Sequence, residues 1–129
     1  MIGSADLVAF VPSADLGRAR PFYEDVLGLT LVTADDLACM FDSNGTLLRV
    51  TDVGAFTPAR FTIVGWAVAD IAAEVADLVA RGVTFERYEG FEQNELAIWT
   101  APDGTQVAWF RDPDGNTLSV AQTTGDAAS

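Results

Sequence analysis

The sequence contains no histidine, and this absence excludes more chemistry than any other feature of its composition. Histidine is the commonest general base and a common ligand of transition metals, so catalytic systems that pair a serine or a cysteine with histidine are excluded. The single cysteine, Cys39, excludes thiolate-rich zinc sites and any disulfide within the chain. A free thiol is typical of a reducing compartment, which predicts a cytoplasmic location.

Positive charge is also scarce, with 7 arginines and lysines against 19 acidic residues and a net charge of −12. Such a surface repels phosphate backbones and anionic lipids, which argues against nucleic acid or a membrane as a partner. Residues 1–6 lack the basic start and the apolar stretch of a signal peptide, and no apolar run is long enough to cross a bilayer. Hydrophobic residues make up 50% of the 129 positions, enough for the core of one domain.

A strand–helix–strand pattern occurs twice in the chain, which is typical of a duplicated unit. In each copy an apolar run precedes an aspartate that can cap a helix, and a glycine ends the helical stripe that follows. The aspartates are Asp15 and Asp70, and the glycines are Gly28 and Gly82. Pro21 lies beyond the first turn of the first helix, so we expect it to strain or kink that helix.

Each copy also ends on a hairpin signal, Asn44-Gly45 in the first half and Asp114-Gly115 in the second. These dipeptides supply the positive φ angles that tight turns between strands require. In the second half, a strand is also expected to begin at residues 83–85, directly after the helix.

The two copies predict an α+β fold built from two βαβββ modules in a single domain. Module 1 covers about residues 5–57, and module 2 covers about residues 60–122 and contains an extra stretch at residues 88–104. Residues 123–129 are expected to form a disordered tail.

Two segments carry a more specific pattern. Residues 21–29 read PFYEDVLGL and follow the capping Asp15, and residues 110–116 read FRDPDGN. In this order, and with the repeat between them, they resemble the vicinal-oxygen-chelate superfamily of glyoxalases, ring-cleaving dioxygenases, epimerases and bleomycin-resistance proteins. The resemblance covers nearly the whole chain, and it implies a mixed sheet that curls around a cavity, in a homodimer.

In the metal-dependent members of that family, a histidine in the first strand of each module and a carboxylate in its last strand bind the ion. The resemblance places the histidine positions at Val8 and Ile63, and the carboxylate positions at Arg49 and Ser119. These side chains cannot assemble a divalent-metal site, and Arg49 would repel the ion. The resemblance therefore implies a member without a metal or other cofactor, and it argues against the glyoxalase and dioxygenase activities, which need the metal.

The metal-free members that the chain then resembles are antibiotic-binding proteins, which protect by sequestering a drug. We predict a protein that binds a small molecule, a drug or a metabolite of aromatic or anionic character. One alternative is a metal-independent lyase or isomerase that uses Glu95, a tyrosine or Arg49. Another is a protein whose own side chains fill the cavity and which serves only in assembly.

Five residues are predicted to contact the ligand: Phe41, Arg49, Trp99, Trp109 and Ser119. Arg49 is either an anchor for an anionic group or half of a structural ion pair. The aromatic side chains either line a ligand cleft or pack in the core or at a dimer interface.

Other residues are assigned structural roles. Trp66 is expected to pack under the second helix, Tyr23 in the core, and Cys39 as a buried, inert thiol. Residues 112–116 are interpreted as a turn, because further carboxylates at the spacing of a calcium loop are missing. Three residues of the extra stretch are interpreted as part of a solvated loop rather than as acid–base catalysts: Glu89, Glu92 and Glu95.

Overall fold

The computed structural model describes residues 1–124, which divide into two compact units between Pro58 and Ala59. Each unit is a βαβββ module with its own four-stranded mixed sheet, which confirms the predicted α+β fold. The predicted tail begins at Thr123, and its residues 125–129 lie outside the described part of the chain. Within residues 1–124, every helix is too short or too polar to cross a bilayer.

The first unit opens with a 3₁₀ turn, Ile2–Ser4. Its regular elements then follow in the order β1 (Val8–Ser13), α1 (Leu16–Pro21), β2 (Thr30–Ala34), β3 (Ala38–Ser43) and β4 (Thr46–Asp52). The strand order in the sheet is β1-β4-β3-β2, and β1 is parallel to β4 while the other pairs are antiparallel. Parallel pairing of neighbouring strands requires a crossover connection, which α1 begins.

Pro21 alters the first helix, as its position predicts. After α1 the chain continues as a π-helical turn, Phe22–Val26, and the N–H of Leu27 donates to the carbonyl of Phe22 at 2.9 Å. Proline has no N–H to donate to the preceding turn, so the hydrogen-bonding pattern shifts by one residue at this point. Gly28, with φ of +77°, then ends the helical segment.

The core of the first unit lies between α1 and one face of its sheet. Phe41, Leu48 and Val50 are buried on that face, and the ring of Tyr23 lies 5.9 Å from the ring of Phe41. Cys39 is buried on the same face, opposite Val50. The predicted burial of Tyr23 and Cys39 is therefore confirmed.

The second unit contains the elements β5 (Thr62–Ala67), α2 (Ile71–Ala80), β6 (Trp99–Thr100), β7 (Gln106–Arg111) and β8 (Thr117–Gln122). Its sheet has the order β5-β8-β7-β6, with β5 parallel to β8. Asp70 caps α2 as predicted, because its Oδ1 accepts a hydrogen bond from the N–H of Ala73 at 3.1 Å. Trp66 is the neighbour of the buried Val120 across the β5–β8 pair, on the face that α2 covers.

Both predicted hairpin turns form. Asn44 and Gly45 have φ of +48° and +93°, and Gly115 has φ of +88°. In the second turn the Oδ1 atom of Asp112 accepts a hydrogen bond from the N–H of Asn116 at 2.9 Å. This confirms the interpretation of residues 112–116 as a turn.

The prediction of a strand at residues 83–85 is wrong, because only the last of these residues pairs, in an isolated bridge with Phe110. Beyond residue 85, the side chain of Gln93 binds backbone groups that a continuing strand would use. Its Oε1 accepts a hydrogen bond from the N–H of Tyr88 at 2.8 Å, and its Nε2 donates to the carbonyl of Glu86 at 2.8 Å. These backbone groups are then no longer available for a strand ladder.

We expect Gly65→Ala to destabilise the second unit. A Cβ atom at this position would lie 2.5 Å from Oγ of Ser119 and 3.3 Å from its carbonyl oxygen on the neighbouring strand. Overpacking of this kind costs about 1–3 kcal/mol, so the free energy of unfolding, measured by urea denaturation, should fall by that amount.

The variant Ser119→Ala tests the cause, because it removes the hydroxyl that the new methyl group would meet. In that background Gly65→Ala should cost clearly less. Gly3→Ala serves as the control, since a Cβ at position 3 meets nothing within 4 Å. Equal losses from Gly65→Ala in the two backgrounds would contradict the steric explanation.

Candidate functional site

The sheet of the second unit has two chemically different faces. Phe110, Leu118 and Val120 are buried on the face covered by α2. Trp109 and Ser119 alternate with them along β7 and β8, so these two side chains belong to the opposite face. They are also direct cross-strand neighbours, which brings together two of the predicted ligand-binding residues.

Ser119 is only 8% exposed, although it lies on this second face. Its neighbour across the β5–β8 pair is Gly65, whose missing side chain leaves space for the serine hydroxyl. Ser119 is therefore placed in a narrow gap between two strands, beside Trp109.

Four aromatic side chains gather on this face: Tyr88, Phe91, Trp99 and Trp109, which we call the aromatic cluster. The ring of Phe91 lies 5.1 Å from Trp99 and 5.7 Å from Trp109, while Tyr88 lies 5.4 Å from Trp109. The two indoles are 6.0 Å apart. These are the separations at which tilted and edge-to-face ring pairs attract each other.

A cavity of about 310 Å³ opens beside the aromatic cluster. This volume lies at the lower end of the range for small-molecule sites. The lining side chains include Arg60, Phe61, Thr62, Tyr88, Phe91 and Trp109. We refer to it as the first cavity.

Sequence reasoning missed Arg60, Phe61 and Phe91 as residues of this site. Arg60 and Phe61 directly precede β5. The position of a cation next to an apolar strand was the feature of the sequence that could have indicated a binding role for them. Phe91 lies in the extra stretch of the second module, where only the three-dimensional path of the loop brings it to Trp109. Phe61 and Phe91 remain 70% and 44% exposed, so the cavity presents apolar surface to solvent.

Side-chain hydrogen bonds hold the loop that carries Phe91. Besides its bonds to residues 86 and 88, Gln93 donates from Nε2 to the carbonyl of Ala97 at 2.8 Å. Asn94 accepts through Oδ1 from the N–H groups of Leu96 and Ile98 at 2.9 and 3.0 Å. The loop is thus tied internally, which reduces its conformational freedom before any ligand binds.

Burial raises the pKa of the Tyr88 phenol above its ordinary value. The carboxylate of Glu86 raises this pKa further, while the guanidinium of Arg111 lowers it. Glu86 and Arg111 form an ion pair at 3.2 Å. The phenol of Tyr88 therefore keeps its proton at neutral pH and offers the first cavity a neutral donor.

Arg49 lies in the first unit, on the sheet face opposite the buried Phe41. Its cross-strand neighbours are Phe10 and Met40, and Phe10 is exposed. Within residues 1–124, Arg49 makes neither a hydrogen bond nor an ion pair within 4.0 Å. The ion pair considered from the sequence is thus not formed among the described residues.

Arg49 influences the pKa of the Asp35 carboxylate. This pKa is lowered chiefly because the side chain of Asp35 accepts hydrogen bonds from the N–H groups of Leu37 and Ala38, at 2.8 and 3.0 Å, and Arg49 adds a smaller lowering effect. Asp35 is thus committed to the turn between β2 and β3, which leaves the guanidinium of Arg49 available to a ligand.

Phe41 is the predicted ligand-binding residue that lies farthest from solvent. It is fully buried against Tyr23, on the helix-covered face of the first sheet. The sequence left Phe41 open between a ligand contact and core packing, and the structure places it in the core. We therefore do not include it in the candidate site.

The four positions at which the family resemblance places metal ligands hold unsuitable donor atoms. Val8 lies on β1 opposite Leu47, and Ile63 lies at an irregularity of β5. Arg49 supplies a cation and Ser119 a single buried hydroxyl. This set does not fit a divalent metal, whose ligands are carboxylate, imidazole or thiolate groups. Nor does the described part of the chain contain a group of three or more such side chains placed to bind one.

The family model for the Glyoxalase/Bleomycin resistance protein/Dioxygenase superfamily matches residues 6–120 of the chain. No curated protein is significantly similar to it in sequence.

Solved structures show the same fold at low sequence identity. A lactoylglutathione lyase from Agrobacterium tumefaciens is similar with a TM-score of 0.73 and 21% identity, covering 92% of this chain and 93% of that one. A superfamily member from Sphaerobacter thermophilus DSM 20745 has a TM-score of 0.73 and 23% identity, with coverage of 92% and 97%. TioX from Micromonospora sp. ML1 has a TM-score of 0.70 and 15% identity, with coverage of 94% and 100%. At these identities the similarity shows the fold alone.

We expect Glu86→Gln to lower the pKa of Tyr88. The substitution removes the carboxylate that raises this pKa and releases Arg111, which lowers it, so the two effects have the same sign. The chain has 2 tyrosines, so the phenolate absorbance of Tyr88 is obtained by comparison with the variant Tyr88→Phe during an alkaline titration.

Glu74→Gln, on α2, is the control, because Glu74 is not among the groups that shift the pKa of Tyr88. It removes the same negative charge and should leave this pKa unchanged. Because the folded-state pKa is raised, the phenol's contribution to stability is fully present below the unfolded-state pKa. It is lost as the pH rises through the folded-state value. An unchanged or higher pKa in the Glu86→Gln variant would contradict the assignment.

Proposed function

The chain belongs to the Glyoxalase/Bleomycin resistance protein/Dioxygenase superfamily, and we propose that it is a metal-free member that binds a small aromatic molecule. The observation that carries this proposal is the aromatic cluster beside a cavity of about 310 Å³. Sequestration of a drug or a metabolite is the function that best suits such a site, because binding alone needs no electrophile.

The apolar surface around the first cavity supports a ligand with flat rings. Phe91 and Phe61 keep large exposed fractions although they are aromatic, and both line the cavity together with Trp109. Exposed apolar surface in a concave site is stabilised when a ligand covers it. Indole and phenyl rings bind planar molecules at little cost in conformational entropy, because they have few rotatable bonds.

The charge around the site supports an anionic substituent on that ligand. Arg60 lines the first cavity, and within residues 1–124 it makes no hydrogen bond or ion pair. Within the first unit, Arg49 lies beside the exposed Phe10 and is a separate candidate anchor for an anion. A planar guanidinium binds a carboxylate or a sulfonate with two parallel hydrogen bonds.

A metal-independent lyase or isomerase is the second candidate. The observation that favours it is the protonated Tyr88 phenol at the wall of the first cavity, which could donate a proton to a bound substrate. Glu95, considered as a catalyst from the sequence, is tied into the loop through its carbonyl, which accepts from Arg87 at 3.3 Å. Turnover that persists in metal-chelated buffer and is lost in Tyr88→Phe would establish this second function.

We expect Trp109→Ala to weaken the binding of aromatic probes about tenfold, because it removes the central ring of the cluster. The probes are phenylnaphthylamine, which is uncharged, and anilinonaphthalene sulfonate, which is anionic. Both become fluorescent in apolar sites, so their dissociation constants follow from fluorescence titrations.

Two further variants separate the aromatic contribution from the charge. Arg60→Gln should weaken the sulfonate and leave phenylnaphthylamine unchanged. Arg81→Gln is the matched control, because Arg81 lies just after α2, in an ion pair with Asp77 at 3.1 Å. Unchanged affinity for both probes in Trp109→Ala would refute the proposed site.

We further propose that the protein is a homodimer in the cytoplasm. The dimer follows from the family resemblance, and the location follows from the free thiol of Cys39. Sedimentation equilibrium at micromolar concentration should give about twice the chain mass of 13.7 kDa. A mass equal to one chain would exclude the dimer.

A further inference from the structure

A second cavity, of about 520 Å³, lies beside the aromatic cluster in the same unit. Its lining includes Gly90, Glu92, Gln93, Asn94, Trp99 and Thr100. Phe91, between two of these residues in sequence, lines the first cavity instead and contacts the rings of both Trp99 and Trp109. Trp99 thus lines the second cavity, while Phe91 and Trp109, whose rings pack against it, line the first.

The charge of the second cavity is opposite to that of the first. Arg60 lines the first cavity, whereas Glu92 is the charged residue that lines the second. The segment 88–110 contains no arginine or lysine, and its charged residues are all acidic. The electrostatic potential around the second cavity is therefore negative.

Arg87 is the nearest cation along the chain, and its guanidinium is already engaged. It donates to the carbonyls of Gln93, Asn94 and Glu95 at 3.5, 2.9 and 3.3 Å. Glu92, in contrast, has no hydrogen bond or ion pair within residues 1–124. Its carboxylate is thus available to a cation that enters the cavity.

We infer that the second cavity binds a protonated aromatic amine, with its ammonium group between Glu92 and Trp99. Trp99 supplies an indole ring, the aromatic group that attracts cations most strongly, and Glu92 supplies the counter-charge. The inference rests on the proposed function and narrows it to amine-bearing aromatic molecules.

The experiment compares naphthylmethylamine, which is protonated at neutral pH, with naphthylmethanol, which has the same ring and no charge. Calorimetric titration of the full chain at low salt should give tighter binding of the amine. Glu92→Gln should weaken the amine about two- to fivefold, the range for an exposed ion pair, and leave the alcohol unchanged. Raising the salt concentration should reduce the preference for the amine, because exposed charges are screened.

Glu89→Gln is the matched control, since it removes the same charge from the same loop at a residue outside the lining of the second cavity. Trp99→Leu should also abolish the preference for the amine. The inference is overturned if Glu89→Gln weakens the amine as much as Glu92→Gln does, because a general negative field would then explain the effect.

The two proposals fail in different ways. If naphthylmethanol and phenylnaphthylamine bind and the amine binds no tighter than the alcohol, the ammonium site is wrong and the aromatic site stands. If none of these probes binds, both proposals are wrong. If the amine binds tighter than the alcohol, and loses this advantage in Glu92→Gln but not in Glu89→Gln, the ammonium site is supported.

Discussion

The candidate site depends on the three hydrogen bonds that the side-chain amide of Gln93 makes to the backbone of its own loop. They join residues 86, 88 and 97 at 2.8 Å each, and they replace the strand ladder that this irregular segment lacks. Tyr88 and Phe91 lie on this loop and Trp99 follows it directly. Gln93 therefore helps to position the loop residues of the aromatic cluster, while strands β6 and β7 position Trp99 and Trp109.

The fold and the chemistry of this protein are separable. The two βαβββ modules match a superfamily that includes lyases and dioxygenases, yet the positions aligned with metal ligands hold Val8, Arg49, Ile63 and Ser119. At the last of these, the strands approach so closely that Gly65 is needed opposite the serine. Membership of the superfamily therefore does not by itself assign one of its activities to this chain.

Features set by local physics were predictable. The capping aspartates, the glycines with positive φ and the altered helix at Pro21 follow from backbone geometry within a few residues. All of them form as expected, including the cap of α1, where Oδ1 of Asp15 accepts from the N–H of Arg18 at 3.3 Å. The strand expected to begin at residues 83–85 is reduced to one bridge at Phe85 and does not continue beyond it. The apolar, β-branched pattern of these residues is typical of a strand. The side-chain amide of Gln93, however, forms hydrogen bonds with the backbone of residues 86 and 88, which a longer strand would need for pairing.

The sequence by itself determined the duplicated α+β fold and the absence of histidine chemistry, because both follow from composition and from short-range periodicity. The tertiary structure alone decided which aromatic residues face a cavity. Phe41 and Trp109 are both aromatic strand residues, yet Phe41 is in the core and Trp109 lines the first cavity. Strand register and the path of the 88–98 loop make this difference, since a shift of one residue reverses the face to which a side chain points.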